Sequence, residues 1–174
     1  MPIKQITPQS QIDAQIEESL NRKKQAIIYN FSVIGEKVVN EAKQSGSYTD
    51  RTGNLRSSIG YIIVADGKIV ETGNFQAIRG QGENMQRVMF TTKAGKKVDY
   101  WVKGKSGDGK EGQSTGQSYA RSLAGKFPKG IVLIVVAGMR YASYVSAKGY
   151  NVLDSSELLA DQLVPKMLKQ LGLK

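Results

Sequence analysis

The sequence predicts an α+β fold: a small antiparallel sheet packed by a long N-terminal helix and a C-terminal helix, with a basic, glycine-rich insertion, all in one domain over residues 1–174. Three observations predict it. Apolar residues recur at helical spacing from Ile12 to Val38 and again from Leu158 to Leu171. The stretch "YIIVADGKIVETG" sets two β-rich runs around an Asp-Gly pair, a strong hairpin signal. "GIVLIVVAG" is a β-branched run of strand length. With 174 residues and 40% hydrophobic composition, the chain suits a single domain with a real core.

The first element is a helix over residues 9–45. Ile12, Ile16, Leu20, Ile27, Phe31, Ile34 and Val38 keep to steps of three, four or seven, which places them on one helical face. Pro8 and Ser10 supply a start and Gly46 a stop. Lys23 and Lys24 interrupt the stripe, which predicts looser packing of the first half. The next stretch is "YTDRTGNLRSSIGY", Tyr48 to Tyr61. Thr52 is placed to accept a backbone N–H two or three residues on and so cap a short helix. Leu55 and Ile59, four apart, turn inward together. Arg51 and Arg56 are left spare for contacts. The Asp-Gly hairpin follows.

Residues 75–129 change character. Glycine, glutamine and lysine dominate, and eleven basic against four acidic residues give this segment +7 of the chain's +10. Within it, "RVMFTTKAGKKVDYWVKG" predicts a hairpin turning at "KAGK", and "GKSGDGKEGQSTGQ" reads as a mobile loop. "GIVLIVVAG" predicts a buried strand, and "MRYASYVSAKGY" is mixed. In the last stretch Asp154 and Glu157 have capping-box spacing. Leu158, Leu159, Leu163, Met167, Leu168 and Leu171 form a helical face, which Pro165 is expected to kink or split. There is no internal repeat.

Composition narrows the function. The chain has no cysteine, which excludes disulfides and thiolate metal sites. It has no histidine either, which removes the commonest general base and metal ligand. A net charge of +10 and a pI of about 9.7 favour polyanionic partners. The N-terminal stretch lacks an apolar h-region, which predicts no signal peptide and synthesis in a cytoplasm. The longest apolar run, Ile131 to Ala137, is far shorter than the ~20 residues a membrane helix needs. No membrane partner is expected.

"GKSGDGK", Gly104 to Lys110, fits the first part of a P-loop, but Glu111 stands where Ser or Thr must bind magnesium and no apolar helix is expected after it. Glu17 and Glu18 fall on the polar side of the long helix. No serine sits in a "GxSxG" elbow. The expectation is therefore no enzyme, no cofactor and no metal. Phe90, Tyr100, Trp101, Tyr119 and Phe127 interleave with basic residues, a mixture that suits single-strand binding by stacking and charge. The competing reading packs Tyr100 and Trp101 onto a core, because alternation in "VDYWVK" is poor. Lys93, Lys96, Lys97, Lys103, Lys105 and Lys110 are the candidate contacts for DNA or a protein partner.

Two stretches, in order, resemble a known family. "DRTGNLRSSI", Asp50 to Ile59, resembles the "TGxLRxSI" signature of the tail-completion or head–tail joining proteins of long-tailed double-stranded DNA bacteriophages. "RYASYVSAKG", Arg140 to Gly149, resembles that family's second signature, "YAxYVExG". The order of elements also matches, and the resemblance spans roughly residues 9–74 and 130–171. Ser146 departs from it, standing where the family has an acid. The 75–129 segment is longer than the family's link.

The resemblance implies a small α/β fold that assembles as a ring, read as a hexamer, in the virion neck. It implies no catalysis. Its partners would be further copies of itself, the adjacent head-connector and tail-tube proteins, and non-specific contact with double-stranded DNA. The protein would be made in the host bacterial cytoplasm and end in the virion. Arg51 and Arg56 would bridge to the next subunit or face the passing DNA. Tyr141 and Tyr144, large and amphipathic, would suit the unlike patches that meet in a closed ring. The alternatives are a basic non-specific nucleic-acid-binding protein, a minor tail component, or an enzyme with an unusual site.

Overall fold

The run Ile59–Ala65 is apolar at consecutive positions, so a strand built from it must be covered on both faces. The computed structural model of the protein, which describes residues 8–81, 84–104 and 107–173, shows how this is done. In chain order the elements are α1 (Gln9–Ser45), α2 (Asn54–Ser57), β1 (Ile59–Ala65), β2 (Lys68–Gly73), β3 (Asn84–Thr91), β4 (Lys97–Gly104), α3 (Lys110–Ala124), β5 (Ile131–Ala137), α4 (Ala142–Ala147) and α5 (Asp154–Gln170). A three-stranded antiparallel sheet has the order β2-β1-β5, and β3 and β4 form a separate two-stranded ribbon.

β1 is therefore central. Its register runs Ile59↔Ala137 to Ala65↔Ile131 against β5, and Tyr61↔Gly73 to Ala65↔Lys68 against β2, with a shift between Ile63 and Val64. The predicted Asp-Gly turn is present, with Asp66 at φ 49° and Gly67 at φ 80°, as a two-residue hairpin of this twist requires. Alternate side chains of β1 go to opposite layers. Ile59, Tyr61 and Ile63 pack on Val39 and Ala42 of α1. Ile62 and Val64 pack on Ala120 and Ala124 of α3, together with Phe75 and Val136. Burying each such large side chain contributes about 1.5–3 kcal/mol. α5 lies along α1 through Ile34, Val38 and Met167, and the buried Ser156 hydroxyl donates to the Val38 carbonyl at 2.9 Å.

α1 and α5 are the two predicted packing helices; α3 is the departure. The predicted mobile loop over 104–116 is mostly the start of this 15-residue helix. Its inner face is Gly112, Gly116, Ala120 and Ala124, one small residue per turn. That stripe lets the helix backbone lie almost against α2 and β1: a Cβ on Gly112 would collide with the Asn54 carbonyl, and one on Gly116 with the Ser58 backbone. The glycines here serve close packing. The insertion is thus a hairpin plus a core helix, with residues 105–106 outside the described part.

Four smaller expectations also change. β5 is an edge strand with Val136 alone fully buried; among the described residues no strand lies beyond it. α5 runs unbroken through Pro165. Its capping box does not form: Asp154 is already helical, and Asn151 Oδ1 accepts the Ser155 N–H instead, at 3.2 Å. α1 buries its stripe only from its middle onward, so the looser first half is more than loose: Ile16 and Leu20 are 53% and 55% exposed.

Candidate functional site

The two stretches that drew attention in the sequence fold against each other. Leu55 of α2 is buried with Tyr48, Ala142 and Val152, and Val145 packs on the same cluster. Between the segments lies a cleft of about 420 Å³, lined by Tyr48, Thr49, Asp50, Arg51, Thr52, Asn54, Leu55, Glu111, Met139, Tyr141 and Val145.

The Thr-Gly-Asn turn builds one wall. Gly53 takes φ 79° at the start of α2, and a side chain there would also strike the Ile78 carbonyl. Gly53, not Thr52, occupies the cap position; Thr52 Oγ1 accepts the Asn54 N–H only at a long 3.4 Å. Asn54 reaches across to α3. Its Nδ2 donates to Glu111 Oε2 at 2.7 Å, and its Oδ1 accepts the Gly112 N–H at 3.3 Å. The buried Ser57 hydroxyl accepts the Ile78 N–H at 2.8 Å. The turn therefore ties together α2, α3 and the coil segment that follows β2.

One lining residue, Asp50, belongs to a buried ion pair. Arg56 Nε stands 3.8 Å from Asp50 Oδ2, with side-chain exposures of 17% and 3%. Arg56 is therefore not spare, because the turn folds Asp50 beneath the short helix that carries it. Among the described residues, Arg56 Nε, Asp50 Oδ2 and Tyr48 Oη are buried without a hydrogen-bond partner. Burial pushes the Asp50 carboxyl above its ordinary range, and Arg56 pulls it partly back. Burial also raises the Tyr48 phenol, and Asp50 adds to the rise.

The other site residues divide. Arg51 is exposed and lines the cleft, as does Tyr141. Burial raises the Tyr141 phenol, against a hydrogen bond with Thr52 that lowers it. Tyr144 lies outside the lining; it is 61% exposed, and the Lys148 ammonium sits 4.7 Å from its ring centre. Arg51 and Tyr141 thus line one cleft, Arg56 is paired with its lining residue Asp50, and Tyr144 lies outside the lining.

The four candidate lysines whose side chains are described do not form one patch. Lys93, Lys96 and Lys97 are exposed at the β3–β4 tip. Lys110 opens α3 at the other end of the ribbon, paired with Asp108 at 3.4 Å. Eight-residue strands separate the two ends by roughly 25 Å. Lys103 is described by its backbone alone, and Lys105 lies outside the described residues. Tyr100 and Trp101 do not pack onto a core: they are 46% and 59% exposed.

The P-loop-like stretch does lead into a helix, contrary to expectation. That helix does not offer its N-terminus to phosphate. Asp108 Oδ1 accepts the Lys110 N–H at 3.1 Å, Asn54 takes that of Gly112, and Glu111 adds a second carboxylate. Among the described residues, no group of three or more acidic side chains is placed to hold a metal ion, and no helix is long and apolar enough to cross a membrane.

Compared with known proteins, the chain matches no family model, no curated protein and no solved structure.

Sequence reasoning missed Tyr48, Asp50, Asn54 and Glu111 as site members, since none carries a motif of its own. It also missed an apolar face on the ribbon. The register pairs Val88 with Tyr100 and Phe90 with Val98, all on one side. The signal was present as alternation at 88, 90, 98, 100 and 102, masked by Trp101 on the opposite face.

Proposed function

We propose that this chain is a structural virion protein of a tailed phage or prophage, forming a ring, read as a hexamer, in the neck that joins head to tail. The observation that carries the proposal is the convergence of the two signature-like stretches on one cleft. Leu55 of the first packs on Ala142 of the second, and Arg51 and Tyr141 both line the cleft between them. Chance likenesses at two separate places give no reason for the two to build one site.

The exposed surfaces suit a ring. Apolar side chains are bare on the first half of α1, on the ribbon and on α4, and these patches differ from one another. Unlike patches make heterologous contacts, which close into rings when the rotation per subunit closes. The partners proposed are further copies of the chain, the adjacent head-connector and tail-tube proteins, and double-stranded DNA bound without sequence preference through the net charge of +10. No catalysis is part of the proposal. The place is the virion neck, after synthesis in the bacterial cytoplasm.

Sedimentation and light scattering over a concentration series, with cryo-microscopy of particles, test this reading. A ring in either setting supports it; a strict monomer in solution and no ring in particles overturns it. One observation favours the rival nucleic-acid-binding protein: Tyr100 and Trp101 lie open beside the tip lysines. Tight, steeply salt-dependent DNA binding by a protein that never assembles would decide for that rival.

A further inference from the structure

The β3–β4 ribbon stands apart from the body. Among the described residues it makes at most marginal contact with the other elements. A lone two-stranded ribbon is only marginally stable in water. This one turns Val88, Phe90, Val98 and Tyr100 to the same side, and Phe90 and Tyr100 remain 50% and 46% exposed. On the opposite side Arg87 Nε donates to Asp99 Oδ1 at 2.8 Å, so that acid is already neutralised. The tip carries Lys93, Lys96 and Lys97 and no acid. The missing cover must therefore be apolar in the middle and acidic at one end. Duplex DNA would take the lysines and leave Val88 and Phe90 bare.

The chain itself offers such a surface elsewhere. A groove of about 500 Å³ runs between β5 and α5, walled by Ile131, Leu133, Val135, Ala160 and Val164. Among the described residues lining it, Glu157 is the single charge. β5 is an edge strand of its sheet, and among the described residues no strand pairs with its outer edge. Asp154, Glu157 and Asp161 recur at helical spacing on the exposed side of α5, next to Leu158, which is 66% exposed.

We infer that the ribbon of one copy docks, apolar face down, into the β5–α5 groove of a second copy, with its tip lysines against the α5 acids. Ribbon and groove are different patches, so the contact is heterologous and passes from copy to copy. The inference rests on the ring reading and names its interface.

The test is a charge swap on exposed positions. Lys93→Glu, Lys96→Glu and Lys97→Glu together should weaken self-association about tenfold or more in sedimentation velocity, since reversed charges repel across an interface. Adding Glu157→Lys and Asp161→Lys should restore it, and circular dichroism should show every variant folded. Wild-type assembly that is unchanged by the lysine reversal, or lost and not restored by the α5 changes, overturns this interface and leaves the ring standing. Loss of DNA binding without any change in assembly assigns the tip to nucleic acid and also overturns it. A wild type that is monomeric in solution and absent as a ring from particles removes the ring reading itself.

Discussion

Gly112→Ala with Gly116→Ala decides whether residues 104–116 are a loop or part of the core. In an exposed helix each change should stabilise by roughly 0.5–1 kcal/mol, because alanine loses less backbone freedom than glycine. In a flexible loop the effect should be near zero. Here both new methyl groups meet backbone, at Asn54 and at Ser58, which cannot swing aside as a side chain end can. Overpacking of this kind costs about 1–3 kcal/mol per site. Two sites, offset by the propensity gain, leave a net loss of about 1–4 kcal/mol. At roughly 2–4 °C per kcal/mol for a chain of this size, Tm should fall by about 2–16 °C. Gly125→Ala is the control: a Cβ there meets nothing, so Tm should hold or rise slightly. Thermal and urea unfolding provide the readout. A double variant as stable as wild type, or more so, refutes the close docking of α3.

Three further outcomes follow from the site and the core. Arg56→Ala should destabilise by about 3 kcal/mol, the low end for a broken buried pair, because it strands the Asp50 carboxylate; urea midpoints check this, and an unchanged midpoint would return Arg56 to the free surface. Leu55→Asp should abolish folding, seen as loss of the cooperative transition, since it puts a charge among Tyr48, Ala142 and Val152. Lys43 donates to the Asn74 carbonyl and side chain at the end of α1, and burial pulls its pKa from 10.5 to about 8, against a smaller upward pull from Glu36. The unfolded chain therefore binds more protons than the folded one above pH 8, and this group's contribution to stability rises between pH 8 and 10. Urea midpoints of Lys43→Met should lack that rise; parallel wild-type and variant curves across the window would contradict it.

Much of the architecture was legible because it rests on period. The 3.6-residue stripe of α1, the Asp-Gly turn and the β5 run each signal one element, and all three are present. The second cover of β1 was legible only indirectly. "YIIV" is apolar at every position, which demands a layer on each face, yet the helix that supplies it is written in glycine and alanine. Glycine spaced four apart on a close-packed face looks the same, residue by residue, as glycine in a loop. Arg56 misled for another reason. In "RTGNLRS" both arginines read as surface residues, and what separates them is the fold of the preceding loop, which buries Asp50 under one and leaves the other exposed. A local pattern carries no information on which acid a turn will bring beneath it.

The same distinction bears on assembly. Folding alone gains nothing from Phe90, Tyr100, Ile16 or Leu20, which stay about half exposed. Single exposed apolar residues are ordinary, but these come as faces: Phe90 and Tyr100 on one side of a ribbon, Ile16 and Leu20 on one stripe of α1. Arg51 and Tyr141, by contrast, line a cleft together with Tyr48 and Asp50, and Asp50 is ion-paired with Arg56. The cleft is better suited to holding the two signature-like stretches in fixed relation, and the ribbon and α1 to reaching outward. The proposed ring would need both functions: a stiff body that keeps its shape, and projecting elements that bind the next subunit. On that division, substitutions in the cleft should lower stability and assembly together. Substitutions on the ribbon should lower assembly and leave the unfolding midpoint where it was.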